Sequence, residues 1–184
     1  MQPNDVLEFW FNQPAAHWFR KNAGFDAAIR ARFGATIDVA LDGGLRAWDE
    51  QGATGVLARI LVLDQFTRNA WRDTPTSFAG DALALAAALG LVDSGAHLDL
   101  TPQQRSFAYM PFEHAEDPAM QQRAMDLFVQ LAAEDASFND SLDYAKRHSA
   151  VIARFGRFPH RNAILGRPST PEEAAFLTQP GSGF

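Results

Sequence analysis

Apolar side chains in this chain recur every three to four residues, as in Ile29, Phe33, Ile37 and Leu41, and runs of alternating β-branched residues are absent. A helix of 3.6 residues per turn gathers such positions on one face, whereas a strand needs a period of two, so the spacing predicts an all-α fold. The punctuation agrees. Asp5 and Glu8 can form a capping box for a first helix carrying Leu7, Phe9, Trp10 and Phe11. A second helix begins near Phe25-Asp26 and stops at Gly43-Gly44. A third follows Trp48, and its density of Val56, Leu57, Ile60, Leu61, Leu63 and Phe66 makes it central. Residues 77–89 form a fourth that ends at Gly90. Thr101-Pro102-Gln103-Gln104 starts a fifth, Asp117-Pro118 a sixth with Met125, Phe128 and Leu131 inward, and Asn139 a seventh that Gly156 terminates. Thr170-Pro171-Glu172-Glu173 repeats the cap-proline-acid pattern before a short eighth helix. Residues 1–184 thus read as one domain of roughly eight helices, with residues 180–184 as a flexible tail.

The 184 residues suffice for a core that buries roughly 70% of the unfolded chain's surface. The formal charge of −6 opposes sequence-independent binding to nucleic acid or to an anionic membrane surface, both of which require a basic face. With no cysteine, disulfides, thiolate zinc sites and thiol nucleophiles are excluded. The start lacks a basic segment followed by an apolar one, and no run of about 18 apolar residues occurs, so a cytoplasmic location is expected. Arginine outnumbers lysine 14 to 2, and the guanidinium fork suits bidentate pairing with carboxylates.

Three polar clusters interrupt the apolar chain. The first is Leu63-Asp64-Gln65-Phe66-Thr67-Arg68-Asn69, where Asp64 with Arg68 and Gln65 with Asn69 stand four apart and can interact along one helical face. The second is Tyr109-Met110-Pro111-Phe112-Glu113-His114-Ala115-Glu116-Asp117. Its His and acids are not at metal-ligand spacing, and Asp117 before a proline reads as a helix cap, so no metal is expected. The third is Arg154-Phe155-Gly156-Arg157-Phe158-Pro159-His160-Arg161-Asn162, where His160, Arg161 and Asn162 project from a loop held by aromatic packing. Asp64, Glu113, Glu116 and Asp117 balance Arg68, Arg154, Arg157 and Arg161. The arginines are therefore expected to bond carboxylates of the two earlier segments.

Such a network is either purely structural or borders a pocket. In the second case Asp64, Arg68, Asn69, Glu113, His114, Arg157, His160, Arg161 and Asn162 line a site for a small anionic ligand or an acidic peptide. Two alternatives stand beside it. One is a hydrolase that uses His160 or His114 with a carboxylate, Glu113 or Asp64, and the other is a module that docks a protein or peptide partner or a second copy of itself. His148 beside Ser149 is a weaker candidate, because helical neighbours point about 100° apart. No cofactor is expected, since a Gly-rich phosphate loop is lacking.

The stretches "LDQFTRN", "YMPFEHAED", "RFGRFPHRNAILGR" and "STPEEAAFL", with "EFWF" and "SFAGDALALA", resemble the bacterial "domain of unknown function 924" family along almost the whole chain. The resemblance implies an all-helical fold similar to the tetratricopeptide-like superhelix and no known reaction. It also marks one departure, Thr67, where the family usually has proline.

Overall fold

A computed structural model describes residues 1–183, and no strand occurs among them. Ten α-helices do: α1 Pro3–Phe11, α2 Ala16–Phe19, α3 Ala23–Leu41, α4 Ala53–Ile60, α5 Thr67–Ala70, α6 Asp81–Asp93, α7 Pro102–Glu113, α8 Pro118–Glu134, α9 Asn139–Phe155 and α10 Pro171–Leu177. The chain is all-α, as its periodicity requires. Contacts divide it into two compact units, one made of Met1–Arg72 with Thr76–Pro111 and the other of Asp73–Pro75 with the residues from Phe112 onward.

In the first unit, helix α1 starts earlier than its apolar stripe suggests. Pro3 occupies the first helical position, and the capping box is formed by Gln2 and Asp5 rather than by Asp5 and Glu8. Aromatic rings fill the core: Phe9 meets Phe33 at 4.9 Å and Phe33 meets Phe66 at 4.8 Å between centroids, and Trp10, Phe33 and Phe66 are fully buried. Each side chain of this kind stabilises the fold by about 1.5–3 kcal/mol relative to exposure. The central helix is α4 and α5 joined by a π-helical segment, Leu61–Phe66. A π turn leaves one carbonyl outside the usual ladder, and Leu63 supplies a reason for it here. Its carbonyl oxygen accepts the Thr67 hydroxyl at 2.8 Å, and Gly80 packs so close that a Cβ there would lie 2.1 Å from the same oxygen.

Helix α6 runs through Gly90 to Asp93 instead of stopping at the glycine, because Leu91 beyond it is buried. Pro75–Asp93 is long and apolar enough by composition to cross a bilayer, with a mean hydropathy of 1.4. Only Asp81–Asp93 of it is α-helical, and 13 residues rise about 20 Å, short of a hydrocarbon core of about 30 Å.

In the second unit α8 packs against α9 through Ala124, Leu127, Phe128 and Leu131 on one side and Ala145, Val151 and Ile152 on the other. Phe158 is completely buried, and Phe155 and Phe176 flank it. Ser182, within the expected tail, is buried and donates to the Leu177 carbonyl at 3.1 Å. Phe184 lies outside the described residues.

Candidate functional site

Helix α9 ends at Gly156, whose φ of 69° lets the chain turn back, and the Gly156 N–H donates to the Ile152 carbonyl at 2.8 Å. Phe158 anchors the segment that follows, as expected, but Arg161 and Asn162 are buried rather than projecting from a loop. Phe158 is extended before Pro159, and its N–H donates to Glu116 Oε1 at 2.8 Å.

The arginines of this stretch pair differently from the expected pattern. Arg157 binds Glu173 through Nε and Nη2, at 2.6 and 2.7 Å, and Arg154 binds Glu172 at 2.8 Å. Both partners lie in the first turn of α10, only 16 and 18 residues on, so the loops to be closed are short. Glu173 is also fixed in advance, since its carboxylate accepts the Thr170 N–H at 2.8 Å in a capping box. Arg161 donates to the His114 carbonyl at 3.0 Å, and its guanidinium lies 4.6 Å above the Phe158 ring. Glu116 is met by Arg167, at 2.6 and 2.9 Å, and Arg167 also donates to Asn162 Oδ1 at 3.0 Å. The Asn162 amide donates in turn to Ser169 Oγ and Glu173 Oε2. Asp117 caps α8, accepting the N–H groups of Ala119 and Met120.

These bonds set the charges. The Glu173 carboxyl is held down to about 2 by Arg157 first and by the Thr170 N–H next. Burial pushes Glu116 up, but Arg167 and the Phe158 N–H outweigh it and leave the carboxyl below its ordinary value.

Glu113 meets a histidine the sequence reading rated low. Its Oε1 lies 2.7 Å from His148 Nδ1, with both side chains almost wholly buried, and the same nitrogen is 3.0 Å from the Tyr144 carbonyl. Two oxygens on Nδ1 hold the proton there, so a neutral ring carries its lone pair on Nε2. The His148 ring lies 6.1 Å from that of His114 and 5.4 Å from Phe158, and His160 lies 5.7 Å from Phe158. Two imidazoles and the Arg161 guanidinium thus gather around the Phe158 ring, and a third imidazole, His114, lies against His148. Burial, with Arg161 and then His148 beside it, pushes His160 down to about 4 and keeps it neutral near pH 7.

Asp64, Arg68 and Asn69 belong to the first unit and bond within it. Arg68 Nη1 meets Asp64 at 3.1 Å, four residues away as expected, and Asp81 at 2.9 Å. Asn69 donates to Asp26 at 2.8 Å rather than joining Gln65, and Arg72 binds the same carboxylate through two bonds of 2.9 Å. Gln65 donates to Asp64.

Sequence reasoning passed over Arg167 and Glu173 as site residues and ranked His148 below the others. Arg167 closes the motif that begins at Arg154, and Glu173 was counted only as a cap. His148 carried a readable signal, since it falls on the apolar stripe Ala145, His148, Val151 and Ile152. A histidine buried in such a stripe needs a partner. No group of three or more His, Asp or Glu residues suited to a metal ion occurs among the described residues.

An all-α chain whose C-terminal unit is stapled by arginine–carboxylate pairs around a histidine cluster is the class of protein that fold and geometry define. The chain belongs to the family described as bacterial protein of unknown function (DUF924), whose model matches residues 6–181. It is similar to a protein of unknown function, ATU0120, from Agrobacterium tumefaciens, with 40% identity, a TM-score of 0.88, and coverage of 95% of this chain and 96% of that one. No curated protein matches it.

Proposed function

We propose that the protein binds a small anionic molecule at the histidine cluster of its second unit, with His114, His160 and Arg161 as the recognising groups and His148, oriented by Glu113, beside them. The observation that carries this reading is the convergence of His148, His160 and the Arg161 guanidinium on the Phe158 ring, with His114 against His148, in a chain whose net charge is −6. The Arg161 guanidinium raises the local potential, and an anion would profit from it. Asp64, Arg68 and Asn69 are not part of the proposed site, and Arg157 and Asn162 support it through Glu173.

Binding of an anion and protonation of His160 favour each other, so they are thermodynamically linked. Addition of inorganic phosphate, acetate or citrate is expected to move the His160 imidazole resonances and raise the pH at which they titrate above about 4. His114→Gln should weaken the response several-fold. If none of the three anions moves any of the three imidazoles, the reading fails.

The Glu113–His148 contact favours a second reading, in which His148 Nε2 accepts a proton from a bound substrate or water. Turnover of an ester or phosphate panel that disappears in His148→Gln, at an unchanged melting temperature, would support it. Equal activity in the variant would exclude it. The compartment we propose is the cytoplasm, since a chain without cysteine gains nothing from an oxidising one.

A further inference from the structure

The first unit contains a partly open cavity of about 320 Å³. That is the low end of the size of small-molecule sites, which run from about 300 to 1,000 Å³. Gly52, Ala53, Val56, Ala87, Gly90 and Leu91 are among its lining, so it is apolar over most of its wall. Its charged side chains are Asp49 and Arg59, which form a fork-to-fork pair with Nε to Oδ1 at 2.8 Å and Nη2 to Oδ2 at 2.6 Å. The Nη1 edge of Arg59 lies outside that pair, and each Asp49 oxygen retains a second lone pair.

The backbone repeats this polarity. Gly52 and Ala53 begin α4, and Gly52 has no side chain to cap the first-turn N–H groups of that helix. Gly90, Leu91 and Ser94 belong to the closing turn of α6, the negative end of its dipole, where the Gly90 and Leu91 carbonyls accept the Ser94 N–H at 3.2 Å and hydroxyl at 3.1 Å and each keep a second lone pair. A positive helix end and a negative helix end therefore border one small cavity beside a pair of opposite charges. A purely anionic or purely cationic ligand would match one half of this arrangement and oppose the other.

We propose that this cavity binds a small zwitterion with an aliphatic side chain, of the size of one free amino acid. Its carboxylate meets Arg59 and the start of α4, its ammonium meets Asp49 and the end of α6, and its side chain lies on Ala87, Val56 and Leu91. This site is independent of the histidine cluster.

The test is titration calorimetry of the whole protein with L-leucine, 3-methylbutylamine and 4-methylpentanoate, which carry respectively both charges, the ammonium alone and the carboxylate alone. Leucine is expected to bind at least tenfold more tightly than either single-charge analogue. A Cβ at Gly90 meets no atom within 4 Å and Gly90 lines the cavity, so Gly90→Leu is expected to occupy the space and to reduce leucine binding tenfold or more. Asp49→Asn, read in parallel, should remove the preference for leucine over 4-methylpentanoate. Absence of leucine binding, equal binding of all three compounds, or unaltered leucine affinity in both variants would overturn the proposal.

Discussion

His160 shows how one residue couples the candidate site to pH. Its ring is neutral in the folded protein down to about pH 4, because burial and the neighbouring Arg161 and His148 disfavour the charge. In the unfolded chain it takes up a proton near pH 6.5. Above about pH 7 neither state is protonated and stability is unaffected. As pH falls from 6.5 towards 4 only the unfolded state gains the proton, and the fold loses up to about 3 kcal/mol. Glu116 and Glu173 act in a lower window. Their carboxyls are held below the ordinary value of 4.5, so the stability they give is present above it and is lost as pH falls towards their folded values. The difference between the wild type and His160→Gln in denaturant midpoints from pH 7 to pH 5 therefore isolates this one of the five histidines. The wild type is expected to lose stability across that range, and His160→Gln to lose markedly less. Parallel slopes would mean that the ring is not neutral in the fold.

At the scale of elements, the π-helical segment Leu61–Phe66 distinguishes the central helix from an ordinary one. Its cause is spread over three residues: the Leu63 carbonyl, the Thr67 hydroxyl that serves it, and Gly80, whose missing Cβ allows the close approach. Gly80→Ala places a carbon against a backbone oxygen that cannot swing aside. We expect a loss of about 1–3 kcal/mol or more by denaturant titration, with little change in helix content. An alanine variant as stable as the wild type would show that the contact does not hold the segment. None of this was legible beforehand, because one extra residue per turn leaves the stripe from Val56 to Phe66 apolar either way. The same insensitivity hid the end of α6, where Gly90 looked like a stop although Leu91 continues the buried face. Caps were more readable, since Thr101, Asp117 and Thr170 bond the neighbouring N–H groups their positions imply.

For the whole molecule, periodicity was enough to give the all-α class and the number of longer helices, because burial of one helical face is a repeating demand that any window displays. The pairing of charges was not, because a count of acids and arginines carries no information on distance. Arg157 could satisfy itself with any carboxylate in reach, and the one already oriented in a capping box 16 residues away won over the more remote acids. Net charge, by contrast, is a property of the whole sequence and predicts directly. At −6, and with Arg154, Arg157 and Arg167 committed to Glu172, Glu173 and Glu116, the protein is expected to form no complex with duplex DNA or RNA in mobility-shift assays at about 0.15 M salt. A retarded band would reveal a basic face that composition conceals.

The bonds that run from Glu116 through Arg167 and Asn162 to Glu173 and Arg157 also limit how this chain can diverge. Replacing any one of the five leaves its neighbours with unmet charge or hydrogen-bonding capacity. These positions therefore form a single unit of inheritance: lineages should keep all of them or exchange several at once, while exposed neighbours such as Ala163 drift alone.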